Sequence, residues 1–382
     1  MLKVCYIITK LELGGAQKLA LYTAKHLDKT KFESFIISGK GGILDKEALE
    51  KFKLLRLGSF VREVSVVKDL KTLFAIYRIL RKEKPDIVHT HSSKAGILGR
   101  IAAKLAGIKV VIHTIHGYGF NETQKWYVKY FYVYIEKFCA FITNSLIAVS
   151  KEDIKKGLSY KIAGEAKFTL IRAGIDTDFY KNYVSNANFK KSLIQSKEVK
   201  IITTIGPFKP QKNLKDFIKA AYIVADKTEN AFFLIAGDGE QRTELENLIS
   251  SLNLKDKVIL LGWRKDIADI LYASDIFVMT SLWEGLPCTI LEAMCCSKPV
   301  IANAVDGVKE IIEENKTGFK VKPYDFQYTA EKILYLLQNK SVMIEMGKSA
   351  KKSIAREFDI NYAVKQQEEL YCSLHNLKDN VD

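Results

Sequence analysis

Along the chain, short continuous apolar runs alternate with stretches whose apolar residues recur at helical spacing. Residues 1–8, 85–91, 110–116, 144–150, 199–205, 231–236, 258–262, 276–280 and 300–303 read as strands buried on both faces, as in parallel sheets. Helical patterns follow them from end to end, which predicts an α/β protein with parallel sheets. Ser150-Lys-Glu-Asp153 reads as a helix-opening cap, and a last helix from Asn361 carries Tyr362, Val364, Leu370 and Tyr371 on its apolar side. The polar segment between Asn182 and Lys200 reads as a linker. A chain of 382 residues has room for about two or three domains. The expected division is a first domain at 1–180, a linker at 181–198 and a second domain at 199–360, with the helix from about 361 to 382 last.

The most informative stretch is SLWEGLPCTILEAMCCSKP, residues 281–299. It follows the strand at 276–280, so Glu284 and Gly285 fall in a loop at a strand's carboxyl end. Pro287 suits the first turn of a helix that carries Glu292. Backbone N–H groups at such a helix start favour phosphate oxygens. Carboxylates on either side accept hydrogen bonds from hydroxyls. The arrangement suits a ligand with a diphosphate in the middle and hydroxyl-rich rings at its ends, a nucleotide sugar.

Other strand ends carry chemistry of the same kind. Gly14-Gly-Ala-Gln17 opens a helix where paired glycines allow close backbone approach. It is either a ligand loop or a tight turn only, and it is not the G-x-G-x-x-G dinucleotide fingerprint. Ser92 and Ser93 stand where a helix cap belongs, with Lys94 in the first turn; they read either as a phosphate site on an acceptor or as a plain cap with a solvated lysine. His116 precedes Gly117 in a loop, whereas His113 lies within the strand and reads as structural.

In this order, the motifs resemble the family four glycosyltransferases, retaining enzymes of GT-B architecture with two facing Rossmann-like domains and a cleft between them. The Glu284/Glu292 E-x7-E pair with its Gly285-Leu286-Pro287 insert carries the resemblance. Gly14-Gly-Ala-Gln17, His113-Thr-Ile-His-Gly117, Lys212, Gly237-Asp-Gly-Glu240 and Gly262-Trp-Arg264 extend it over nearly the whole chain. The resemblance implies that Glu284 contacts the transferred sugar, Glu292 the ribose, Lys212 the diphosphate and the backbone near Arg264 the nucleobase. It places the Gly14–Gly15 loop beside the donor phosphates and the acceptor, and His116 beside the site of bond exchange. The last helix would cross back onto the first domain. Two departures stand out. Arg172-Ala173 replaces the usual Asn-Gly, and Pro207 occupies the place of the arginine that commonly joins the lysine on the diphosphate, leaving Lys209 as a substitute charge. The implied activity is transfer from a UDP-sugar to a lipid-linked glycan acceptor in bacterial surface-polysaccharide synthesis, with no cofactor and no metal. GDP-mannose as donor, a UDP-sugar 2-epimerase and a degenerate membrane-docked scaffold are the alternatives.

Charge adds a partner. Of the net +15, residues 1–180 hold almost all, with 31 Lys/Arg against 17 Asp/Glu. No RNA- or DNA-binding motif accompanies the excess, so an anionic membrane surface is expected in place of nucleic acid. The aromatic-rich segment 125–138, with Lys125, Lys129 and Lys137, reads either as an interfacial membrane face or as a core helix. No apolar run reaches membrane-spanning length, no cleavage site of a signal peptide follows the first strand, and the six cysteines show no metal-ligand spacing. A cytoplasmic protein at the inner face of the plasma membrane is the expectation.

Overall fold

The computed structural model describes residues 1–186, 189–190 and 199–379; the expected linker at 181–198 falls largely outside them. The chain forms two compact units, one of Met1–Gly174 with Ile360–Asp382, the other of Ile175–Asp359. The first sheet comprises β1 (Leu2–Ile8), β2 (Phe32–Gly39), β3 (Lys53–Leu57), β4 (Ile87–His91), β5 (Val110–Ile115), β6 (Ser145–Ala148) and β7 (Phe168–Leu170) in the order β3-β2-β1-β4-β5-β6-β7. The second comprises β8 (Lys200–Ile205), β9 (Ala231–Ala236), β10 (Val258–Gly262), β11 (Ile276–Met279), β12 (Val300–Asn303) and β13 (Gly318–Val321) in the order β10-β9-β8-β11-β12-β13. All these strand pairs are parallel.

Parallel strands lie between two helix layers, so alternate residues of one strand enter different cores. In β1, Val4, Tyr6 and Ile8 join the core under the helices Gly15–His26 and Ile360–Asp379. Cys5 and Ile7 join the opposite core, under Val66–Glu83 and Ser93–Leu105. The last helix docks through Ala363, Val364, Gln367 and Tyr371, buried at helical spacing. Helix Val66–Glu83 stops where Lys84 turns left-handed (φ 47°) ahead of Pro85. Ser150 caps Lys151–Ser159 by accepting from Asp153 N, as its sequence predicts.

In each sheet the strand order reverses once, between β1 and β4 and between β8 and β11. Loops leaving adjacent strands at such a point part to opposite faces and open a crevice at the carboxyl edge. The helix Thr177–Asn182, divided by the expected end of the first domain at 180, lies in the second unit and packs on the helix Cys288–Cys295.

Tyr371 ties the last helix to the first sheet. Its hydroxyl is 3.0 Å from the Tyr6 hydroxyl and 2.5 Å from His89 Nδ1, all three side chains being buried. Tyr371→Phe strands both partners away from water and should lower unfolding free energy by about 1–3 kcal/mol. Denaturant titration checks this, and an unchanged midpoint would contradict it.

Candidate functional site

In the second unit the site is built on the β8 and β11 loops. After β8, Gly206 leads into the turn Pro210–Lys212, and Asn213 adopts a left-handed conformation (φ 45°) before the helix Leu214–Lys227. This loop is stitched to the one after β11. Leu282 N donates to Gln211 O (2.8 Å), Gln211 Nε2 to Trp283 O (2.8 Å), and Thr280 Oγ1 to the carbonyls of Lys212 and Asn213 (3.0 Å each). Across this seam the Lys212 ammonium meets Glu284 Oε1 at 2.5 Å, with side-chain exposures of 14% and 10%.

Glu284 is held from behind. Its N–H donates to Asp306 Oδ2 (2.8 Å), and Gly307 N donates to Gly285 O (3.1 Å). Asn303 Nδ2 donates to the carbonyls of Thr280 and Ser281. Leu286 is buried, and the helix Cys288–Cys295 opens on Pro287, which supplies no side-chain cap. Glu292 lies on this helix against the buried Tyr180, whose phenol is raised far above its usual pKa by burial first and then by the Glu292 carboxylate. The structure therefore brings Lys212, Glu284, Gly285, Leu286, Pro287 and Glu292 together. Arg264 is bound by Asp266 within its own loop, which holds its guanidinium charged, and Lys209 opens the turn Pro210–Lys212.

In the first unit the corresponding edge carries imidazoles. His116 follows β5 and precedes Gly117 (φ 98°). It lines a cavity of about 190 Å³ together with Ala16, Ser92, Ser93, Tyr118 and Glu136. Gly14 caps the helix Gly15–His26 and lies against the end of the Gln17 side chain. Ser92 does not cap the next helix through its side chain: at φ 66° its Oγ turns to Thr9 Oγ1 at 2.8 Å. Lys94 leaves the edge as well, its ammonium bonded to Asp69 (2.6 Å) and to the Glu63 carbonyl. In this structure it tethers the helix Val66–Glu83, and the carboxylate in the cavity wall, Glu136, is paired with the fully buried Arg100 (2.8 Å).

Burial keeps the imidazoles neutral. It lowers His116 from 6.5 to about 4 and, with His116 adding to it, His89 to about 3; His91 and His113 are held well below the usual value by the same cause first. His113 is structural, its Nδ1 2.9 Å from Thr90 Oγ1 and its ring filling the space over Gly96. Sequence reasoning missed Asp306, Tyr180, Gln211, Asn303 and His91. Asp306 alone announced itself, by preceding a glycine at a helix start.

Two Rossmann-like units, each with polar side chains gathered at the carboxyl edge of its sheet, fit the class of α/β enzymes built from paired nucleotide-binding folds. Family models match both: "Glycosyltransferase Family 4" over residues 13–179 and "Glycosyl transferases group 1" over residues 185–353. The UDP-Gal:alpha-D-GlcNAc-diphosphoundecaprenol alpha-1,3-galactosyltransferase of Escherichia coli is 34% identical over 98% of this chain and 97% of its own. The N,N'-diacetylbacillosaminyl-diphospho-undecaprenol alpha-1,3-N-acetylgalactosaminyltransferase of Campylobacter jejuni is 27% identical over 91% of this chain and 93% of its own. Among solved structures, Anabaena HepE in complex with UDP-glucose superposes with a TM-score of 0.81 at 21% identity, over 98% of this chain and all of that one. Sucrose-phosphate synthase of Thermosynechococcus elongatus gives 0.85 at 19%, over 99% of this chain and all of that one. The chain belongs to glycosyltransferase family 4 and has the fold of the GT-B enzymes; it is a glycosyltransferase.

The neutral histidines have a consequence for stability. Between pH 6.5 and about 4 the unfolded chain binds protons that the folded His116 and its buried neighbours refuse. Their contribution is therefore complete above pH 6.5 and is lost as pH falls through that window, with His89 extending the loss to about 3. The thermal midpoint should drop from pH 7 to pH 4, and less steeply in His89→Phe. A midpoint flat from pH 7 to pH 5 would contradict this.

Proposed function

We propose that the protein transfers a hexose or N-acetylhexosamine from a UDP-sugar to a hydroxyl of a lipid-linked glycan, with retention, in surface-polysaccharide synthesis. The observation that carries the reading is the Lys212–Glu284 pair at the β8/β11 switch point, in front of the helix that bears Glu292. The choice of a UDP donor and a diphosphate-linked acceptor is supported by the whole-length likeness to the E. coli galactosyltransferase.

In this mechanism the second unit takes the donor. Glu292 accepts from the ribose hydroxyls and the start of its helix faces the diphosphate. Glu284 gives Oε1 to Lys212 and Oε2 to a hydroxyl of the transferred sugar. The bond between the anomeric carbon and the diphosphate oxygen breaks, and the acceptor hydroxyl forms its bond on the same face. Its proton passes to the departing diphosphate oxygen. Lys212 and the helix start balance the charge that develops there. Among the described residues, no group of three or more His, Cys, Asp or Glu side chains is placed to hold a metal ion; the reading needs none. In the first unit, His116 and the Gly14–Gly15 loop are read as the groups that take the acceptor.

The acceptor's lipid calls for a membrane surface. Among the described residues no helix is long and apolar enough to cross a bilayer. The helix Trp126–Phe141, however, turns Val133, Glu136, Cys139 and Ala140 inward and leaves Trp126 (74%), Phe131 (60%), Tyr134 (66%) and Phe141 (83%) exposed. Rings flanked by lysines suit an anionic headgroup layer at the cytoplasmic face.

Three measurements test this. Calorimetry should find binding of UDP and little of GDP, and Glu292→Ala should weaken UDP by about 10- to 100-fold; binding of neither nucleotide by folded protein would sink the reading. Lys212→Ala should cut kcat by about 100- to 1,000-fold, while chelation by EDTA leaves wild-type kcat unchanged. Co-sedimentation with vesicles containing anionic phospholipid should fall in Trp126→Ser/Phe131→Ser and at high salt; equal binding by the double variant would remove the membrane face from the proposal.

A further inference from the structure

The most suggestive arrangement outside the expected residues is His91. It ends β4, in register with Ile8 of β1 on one side and Thr114 of β5 on the other. Its ring is 2% exposed, stacked on Tyr6 (centroids 5.8 Å apart, 18° between planes) and packed against His89 (4.3 Å). These contacts fix the ring plane. Nδ1 then lies 3.0 Å from His116 Nε2, with the two imidazoles stacked at 5.3 Å. The other nitrogen of His91, Nε2, is buried and has no hydrogen-bond partner.

Both rings are neutral, so each carries one proton and only two arrangements satisfy the contact. If His116 donates from Nε2, the His91 proton must sit on Nε2, an N–H buried without an acceptor. If His91 donates from Nδ1, its Nε2 is left with only a lone pair, and the His116 proton sits on Nδ1. A buried donor with no acceptor is the costlier group to leave unpaired. We infer that His91 is a positioning residue which, through Nδ1–H donation, locks His116 as its Nδ1–H tautomer and makes it a hydrogen-bond donor to the substrate. His116 lines the cavity, and with Nε2 taken its Nδ1–H is the polar group it has left for a ligand. That group suits an oxygen acceptor: a sugar hydroxyl or an oxygen gaining negative charge. It cannot serve as a base. The inference rests on the placement of His116 in the reacting site proposed above.

The test pairs nitrogen-15 NMR of the histidine rings with steady-state kinetics on UDP-sugar and a diphosphate-linked acceptor. Wild-type His116 should show a protonated Nδ1 and an unprotonated Nε2. His91→Phe keeps a ring on Tyr6 and removes the orphan nitrogen, so the thermal midpoint should hold. Its kcat should fall by about 10- to 100-fold, the cost of losing a partner that orients a functional histidine, while both KM values stay within about twofold. His91→Asn, whose amide N–H can stand where Nδ1–H stood, should recover most of the rate. A His116 protonated on Nε2 overturns the inference, as does a loss in His91→Phe that tracks melting and is not recovered in His91→Asn. If His116→Ala loses activity and His91→Phe does not, this inference alone falls. If His116→Ala keeps wild-type kcat, the placement of His116 falls and takes the inference with it.

Discussion

The carboxyl edge of the second sheet depends on one backbone crossing, where Gly237 passes against the carbonyl of Gly206. A side chain at position 237 would penetrate that carbonyl, and its φ of 150° is one that L residues rarely adopt. The crossing lets the β8 loop lie flat on the β9 loop, with Phe208 N donating to Asp238 O at 2.9 Å. Lys212 then folds its stem over Gly206, which has no side chain to displace it, and its ammonium arrives at Glu284. Glu284 is fixed in turn through its own N–H by Asp306, a residue held at positive φ (36°). A charge pair supported at both ends needs little reorganisation when charge develops beside it, which is the condition for electrostatic catalysis.

The first sheet reaches a similar rigidity with side chains in place of glycines. His89, His91, His113 and His116 crowd the ends of β4 and β5, and such a cluster would repel itself if the rings were charged. Burial keeps them neutral, so they can stack, and hydroxyls meet the ring nitrogens of two of them: Tyr371 and Thr114 on His89, Thr90 on His113. Tyr371 arrives from the far end of the chain. The last helix is therefore part of the support of this edge, and the first unit is built from two separated stretches of sequence.

Much of this was legible in the residues. Parallel strands buried on both faces are continuous apolar runs, so their positions and the residues at their ends follow directly from the sequence. Ser150 was readable because a cap is local. Ser92 was not, because its turn toward Thr9 is set by the β1–β4 pairing and not by its own neighbours. Lys94 read either as a phosphate ligand or as solvated because its partner, Asp69, stands a helix away. His91 and His116 meet only once β4 and β5 are in register. Tyr180 reaches Glu292 because its short helix belongs to the second unit, whereas the sequence placed the division a few residues later. Local signals gave the motif residues and most strands, though not β2, β3, β7 and β13; contacts made through strand register or between distant helices left no trace in spacing.

The aromatic helix shows why pattern alone could not choose between core and surface there. With rings at half of the positions, no apolar stripe stands out, and a core helix and an interfacial one read alike. The decision is made by Glu136, which must face inward to meet Arg100, a cation with no exposure at all. That contact turns Trp126, Tyr127, Tyr130 and Phe131 outward. A helix that follows a parallel strand starts at the sheet's carboxyl edge, so Trp126 and Tyr127 stand at the edge where His116 lies. The helix after β3 starts at the same edge and also opens on exposed apolar residues, Val66, Val67 and Leu70, with Lys68 and Lys71 among them. Apolar surface of this extent is costly in water and calls for a covering phase. On the proposed reading that phase is the bilayer carrying the acceptor, and a lipid-linked glycan rising from it would meet the first unit at the edge that holds the cavity, without the protein having to span the membrane.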